Sequence, residues 1–234
     1  MSLSDLESEK GDADGLLSED LVQSPTHKAA STKAVDFDGL LTPPLLLRED
    51  LTSGNGGQAW PAGMILGKYL LRRKRDELQD SSIVELGAGG GLCGLAIAVG
   101  CRPKDVVHIT DQQPMQALMQ QNIAHNNLQD AVKASVYDWG NPRPQDIPQP
   151  DVVLAADCVY FEPAFPLLLQ TLQDLIGPNT VCYFCFKRRR RADMHFVKAV
   201  KKMFLVEDVT DDPDSASYSW ENIFLCTIKR KPGR

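Results

Sequence analysis

The sequence predicts an α/β fold: a mostly parallel sheet of seven strands with a reversed seventh strand and helices on both faces. Three observations predict it. From residue 82 onward, short apolar runs alternate with segments of helical periodicity. A glycine-rich loop separates the first run from the first of those helices. The last two apolar runs follow one another with no helical pattern between them. A strand that returns after a helix pairs in parallel through a right-handed crossover, whereas two strands with a short connection pair antiparallel.

The elements follow in chain order. Residues 1–35 are acidic and rich in Ser, Asp and Gly, and are expected to form a disordered tail. Residues 36–234 then make a single domain that includes an N-terminal arm and helix. The arm, 37–51, is apolar and interrupted by Pro43 and Pro44, as an edge strand or extended segment is. A Gly/Asn loop at 53–57 leads to a helix over 61–74, with Ile65, Leu66, Tyr69 and Leu70 along one side. Arg72, Arg73, Lys74 and Arg75 close it, where cations favour the dipole end.

The alternating strands are Ile83–Leu86, 106–110, 132–137, 151–156 and 180–186. Helical patterns at 92–99, Met115 to Ile123, Phe165 to Ile176 and Phe196 to Met203 lie between or after them. Runs 152–156 and 181–186 are apolar at nearly every position, as strands covered on both faces are. The closing hairpin joins 204–209 to 222–228 through a loop at 210–221.

The 234 residues carry 25 Lys+Arg and 31 Asp+Glu, a formal charge of −6. Residues 1–27 hold seven acids and one base, which is all of that charge, so the body is neutral. A globally basic nucleic-acid binder is disfavoured. No signal-peptide pattern opens the chain, and no run of about 18 apolar residues implies a membrane span. Six cysteines lack a spaced framework, which reads as reduced thiols in a cytoplasmic or nuclear setting. Cys182 and Cys185 stand three apart in a strand and so point to opposite faces, which spoils shared metal ligation.

The most informative segment is Glu85-Leu86-Gly87-Ala88-Gly89-Gly90-Gly91. From Gly89 it satisfies Gly-x-Gly-x-x-Gly through Gly91 and Gly94, with Asp111 ending the next strand where a ribose-binding carboxylate sits. A dinucleotide site is therefore formally available. From Glu85 it fits better as acid-x-Gly-x-Gly-x-Gly, with glycines passing close to a ligand that carries no pyrophosphate. Asp111 receives ribose hydroxyls in both readings, because two carboxylate oxygens match a vicinal diol. The terminal hairpin favours a methyl donor over a dinucleotide.

Asp157-Cys158-Val159-Tyr160 follows the fourth alternating strand, at the edge where open α/β sheets place their chemistry. Its carboxylate can orient an amine, and its ring can line a slot for the alkyl stem. Lys187-Arg188-Arg189-Arg190-Arg191 follows the fifth strand at the same edge. This run suits a docking rim for an acidic protein surface, a nuclear address, or a solvated turn.

The glycine loop and the closing hairpin resemble the class I methyltransferases, with their Rossmann-like sheet. More specifically, five segments over roughly 35–230 resemble the seven-β-strand protein-lysine methyltransferases, methyltransferase family 16. The likeness is to its methyltransferase-like 21 branch, and most to the fungal elongation factor methyltransferase six group. The segments are Ala59-Trp60-Pro61-Ala62-Gly63, Val84 to Gly89, Ile109-Thr110-Asp111, Asp138-Trp139-Gly140 and Ala155 to Tyr160. The resemblance implies S-adenosyl-L-methionine as cofactor, contacted by Trp60, Glu85, Gly87, Ala88, Gly89, Asp111, Trp139 and Ala156. It implies Asp157 and Tyr160 as catalytic residues, and no metal. It further implies a cytoplasmic monomer acting on a protein, elongation factor 1-alpha before a chaperone or a small molecule. Nuclear entry through Lys187–Arg191 is the alternative location.

Overall fold

A computed structural model describes residues 29–232, so the acidic leader over 1–28 lies outside the described residues. The domain boundary expected at 35 moves toward the N-terminus. Strand β1 (Ser31–Val35) pairs antiparallel with β2 (Leu45–Glu49), from Ser31 opposite Glu49 to Val35 opposite Leu45. The expected arm is thus one strand of a separate two-stranded sheet. Backbone hydrogen bonding to β2 places 31–35 with the folded body rather than with a tail.

Helix α1 (Pro61–Arg73) begins with proline at its first position, where no amide donor is lost, and α2 (Arg75–Gln79) follows directly. The alternation then gives β3 (Ile83–Leu86), α3 (Leu92–Gly100), β4 (Val107–Asp111), α4 (Gln116–His125), β5 (Val132–Val136) and β6 (Val152–Ala156). It continues with α5 (Phe165–Leu175), β7 (Val181–Lys187), α6 (Arg191–Met203) and β8 (Phe204–Asp208). A short helix α7 (Ser215–Trp220) occupies the connection expected to be a plain loop, before β9 (Ile223–Arg230).

The large sheet has the order β5-β4-β3-β6-β7-β9-β8. The pairs β3–β4, β3–β6, β4–β5 and β6–β7 are parallel, while β9 runs antiparallel to both β7 and β8. The seventh strand of this sheet is therefore the reversed one, inserted between β7 and β8.

Alternation along the central strands divides the core between two faces. Ile83, Val152, Leu154, Tyr183 and Cys185 pack with α1 and α3 on one face. Val84, Leu86, Val153, Ala155, Cys182 and Phe184 pack with α5 and α6 on the other. Cys182 and Cys185 accordingly lie on opposite faces, and all six cysteines are buried and free. Among the described residues, no helix is long and apolar enough to cross a membrane.

Two devices fasten the N-terminal arm to this body. Gly67 of α1 leaves room for the Phe37 ring, whose nearest carbon atoms would stand 2.5 and 2.9 Å from an added Cβ. Asn122 of α4 and Asn126, which caps the end of that helix, bond to the β2 backbone. Arg48 N donates to Asn122 Oδ1 at 2.7 Å and Leu46 N to Asn126 Oδ1 at 2.8 Å, and the Asn122 and Asn126 amide nitrogens donate back to Arg48 O and Leu46 O. The Asn122 amide also donates to Gly90 O at 2.9 Å, so one fully buried side chain joins arm, helix and glycine loop.

The basic cluster ending α1 does more than face the dipole. Arg72 donates to Asp212 at 2.6 Å and to Asp214 at 3.1 Å, and Asp212 is buried. Tyr218 OH completes Asp212 at 2.9 Å, which ties α1 to α7. Replacing Arg72 strands a buried carboxylate. The Arg72→Met variant should lose on the order of 3 kcal/mol in urea unfolding. Lys104→Ala, which removes a pair exposed on both sides, should leave the urea-unfolding midpoint unchanged.

Candidate functional site

Parallel strands deliver their ends to one edge, and five ends converge there. After β3 the chain turns through Gly87 and Gly89, at φ +59° and +55°, a conformation that favours glycine. A Cβ on Gly87 would stand 3.0 Å from both Cys158 Sγ and Trp139 Cζ2, and one on Gly89 would collide with Gly56 O. The loop is thus walled by backbone and side chains that tolerate no added atom.

Glu85 is 2% exposed, and its Oε2 accepts from Gly94 N at 2.8 Å, which fixes the start of α3 to the end of β3. Burial raises its pKa to about 7, against the lowering effect of that amide bond. Asp111, at the end of β4, accepts from Gly89 N and Gln112 N at 2.7 Å each, and burial raises its pKa. Trp139 follows β5 and leans on the glycine loop. Trp60 caps α1 and donates from Nε1 to Asn55 O at 3.0 Å.

Asp157 follows β6 at φ +58°, a left-handed position that Asp tolerates better than most side chains. Its N–H donates to Cys185 O at 2.7 Å, and its Oδ1 accepts from Lys187 N at 3.1 Å, so two bonds to β7 hold the turn. The carboxylate is not open, however. Arg189 clasps it with both arms, Nη1 to Oδ1 at 2.9 Å and Nη2 to Oδ2 at 2.7 Å. The same guanidinium lies 5.3 Å from the centre of a Trp60 ring, within cation–π reach. Tyr160 is 39% exposed, and its carbonyl accepts from Arg190.

All ten residues singled out in the sequence line one cavity of about 660 Å³: Trp60, Glu85, Gly87, Ala88, Gly89, Asp111, Trp139, Ala156, Asp157 and Tyr160. Glu85 contributes chiefly by holding the loop. Sequence reasoning missed the roof, residues 53–58, where Gly56 meets the glycine loop; its glycines were visible but read only as a connection. Cys158 under Gly87 and Arg189 on Asp157 were missed as well. The basic run drew attention to Arg189 as surface charge, and no sequence signal marked it as the partner of Asp157.

The arrangement matches a known group. Residues 41–203 match the family described as lysine methyltransferase. The chain belongs to the lysine methyltransferase family. It is 37% identical over 225 residues to the protein-lysine N-methyltransferase EFM6 of Saccharomyces cerevisiae, covering 84% of this chain and 90% of that one. It is 35% identical to the protein N-lysine methyltransferase METTL21A of Danio rerio, over 68% of this chain and 73% of the relative. It is 33% identical to EEF1A lysine methyltransferase 3 of Mus musculus, over 69% of each.

The fold is also that of the S-adenosylhomocysteine-bound Podospora anserina methyltransferase PaMTH1. The TM-score is 0.53 at 14% identity, with 76% of this chain and 81% of that one covered. A SAM-dependent methyltransferase from Aquifex aeolicus gives the same TM-score at 13% identity, with 72% and 93% covered.

This protein-lysine methyltransferase uses S-adenosylmethionine, and the dinucleotide reading of its glycine loop falls. The cavity fits the cofactor. Gly87 and Gly89 form a cradle that a Cβ would fill, Asp111 offers a diol acceptor, and Trp139 an apolar wall.

Burial of Glu85 in this methyltransferase has a pH consequence. The folded protein keeps a proton on Glu85 up to about pH 7, whereas the unfolded chain releases it near the ordinary 4.5. Between those values the folded state binds more protons, so this stability contribution is present below about 4.5 and lost as pH rises through 7. Glu85→Gln carries no such proton. Its urea-unfolding free energy should gain on the wild type by up to about 3 kcal/mol between pH 5 and 7.5. A difference that stays constant with pH would show that Glu85 is ionised throughout.

Proposed function

We propose that this enzyme methylates a lysine of elongation factor 1-alpha, with Asp157 and Tyr160 at the acceptor and the glycine loop at the donor. One observation carries the reading: the Asp157–Tyr160 segment and the glycine cradle open into the same cavity. The acceptor's identity is supported by relatives named as EEF1A lysine methyltransferase 3, at 30% and 33% identity.

Bound S-adenosylmethionine supplies an already activated methyl group, so what remains for the protein is alignment and control of protonation. Gly87, Ala88 and Gly89 would bring backbone close to the cofactor, and Asp111 would accept from its ribose hydroxyls. Trp139, Trp60 and Ala156 would wall it against water. A free lysine has a pKa of about 10.4 and attacks only after losing its proton. Asp157 orients the amine, and Tyr160 shapes the slot around its stem.

Arg188 and Arg191 are exposed on the turn that carries Arg189 into the cavity lining, while Arg189 and Arg190 are tied to Asp157, Asp193 and Tyr160. The docking rim is therefore narrower than the run of five bases, and Arg188 and Arg191 are the members that face an acidic protein surface.

Radiolabelled cofactor, unmodified elongation factor 1-alpha and the purified enzyme make the direct test. Transfer to a lysine of that factor is expected, and a lysate in which some other protein alone takes the label would overturn the assignment. Asp157→Ala should abolish transfer while calorimetric cofactor affinity stays within about twofold. The double reversal Arg188→Glu/Arg191→Glu should raise KM for the protein about tenfold and leave KM for the cofactor alone. Equal KM values for the protein would make those arginines bystanders.

A further inference from the structure

We propose that Arg189 is a positioning residue for the acceptor lysine: it neutralises Asp157, so that this carboxylate orients the incoming amine without holding it as an ammonium. The proposal rests on the reading of the acceptor site given above.

The geometry is that of a built device. Both guanidinium arms meet the carboxylate, at 2.9 and 2.7 Å. Asp157 Oδ1 also accepts from Lys187 N, whereas Oδ2 has the one guanidinium donor. A carboxylate oxygen can accept twice, so Oδ2 keeps a position for a further N–H. The turn that carries Arg189 is itself fixed. Asp193, fully buried at the third position of α6, accepts from Arg189 N at 2.8 Å and Arg190 N at 2.9 Å. Arg190 pairs with Asp193 and reaches back to Tyr160 O. Adjacent arginines thus bracket both ends of the Asp157–Tyr160 segment, and Trp60 flanks the first of them.

The electrostatics require such a partner. A lone carboxylate beside an amine favours the charged form and raises its pKa, by about one to three units. An amine that must shed a proton to react is hindered by that neighbour. The Asp157–Arg189 pair is neutral as a whole, so it keeps the acceptor oxygen and removes the opposing charge.

Other charges around the pair do not substitute for it. From α6, Asp193 and Arg190 are matched to each other. From β3 and β4, Glu85 and Asp111 have raised pKa values through burial. Cys158 and Cys185 are neutral thiols, pushed up by burial. Of the rim bases beyond Arg189, Lys187 meets the Asp157 side chain through its backbone amide alone among the described residues. The acceptor's proton leaves to water before the methyl group passes to its nitrogen.

The test compares wild type, Arg189→Gln, Arg189→Lys and Asp157→Asn with labelled cofactor and elongation factor 1-alpha. The rising limb of kcat against pH should move up by about one to two units in Arg189→Gln. It should stay in place with a lowered kcat in Arg189→Lys, and move down in Asp157→Asn. Calorimetry of acceptor binding to the sinefungin-loaded enzyme, in buffers of different ionisation heat at pH 8, should count fewer protons released by Arg189→Gln than by wild type.

An unmoved limb and an equal proton count would reduce Arg189 to scaffolding. Faster turnover with a lower KM would make it a blocking cation, which also overturns the proposal. If Arg189→Gln fails to fold, Arg189→Lys and Asp157→Asn decide. A limb displaced upward in the first, or unmoved in the second, is an adverse result. A wild type that methylates no protein sinks the underlying reading instead, which is a different outcome.

Discussion

The site depends on a constraint of space at the glycine loop. Gly56 O, Cys158 Sγ and the Trp139 ring all approach Gly87 or Gly89 so closely that no side chain could stand there. Three parts of the chain, far apart in sequence, therefore share one contact: the roof over 53–58, the β3–α3 turn, and the segments that leave β5 and β6. The buried amide of Asn122 draws the N-terminal arm onto the same place by donating to Arg48 O and Gly90 O. Close backbone packing of this kind makes the cavity a fixed shape, since interiors at that density do not deform continuously.

Charge is arranged around this shape in matched sets. Glu85 serves α3 through Gly94, Asp111 serves the loop through Gly89, and Asp157 is shared between β7 and Arg189. Asp193 holds the turn that brings Arg189 to Asp157. Asp212 plays a similar part between α1 and α7. Each carboxylate stands where backbone donors or an arginine fork already wait, which is how acids persist at low exposure. Function and stability thus use the same type of contact.

Much of this was legible in the sequence. The alternation of runs gave the sheet and its crossovers because period and covering on both faces are local properties. The missing helix pattern before the last strand gave the reversal, although a short helix, α7, does sit in that connection. Six residues are too few for a periodic signal. Strand β1 was hidden inside an acidic, Ser-rich leader, because its partner β2 lies ten residues on and only pairing makes it a strand.

By itself, the sequence determined the order of elements, the glycine turn and the acids that end the strands. Each of these follows from residue type and spacing along one stretch of chain. The tertiary structure decided which of those acids is engaged and by what. Arg189 and Asp157 are 32 positions apart, and nothing local distinguishes Arg189 from its four basic neighbours. Parallel pairing of β6 with β7 sets Ala156 opposite Cys185 and brings the two strand ends to one edge. The buried Asp193 then fixes the turn from which Arg189 reaches Asp157. A choice among identical charges is made by packing, and packing is a property of the whole fold.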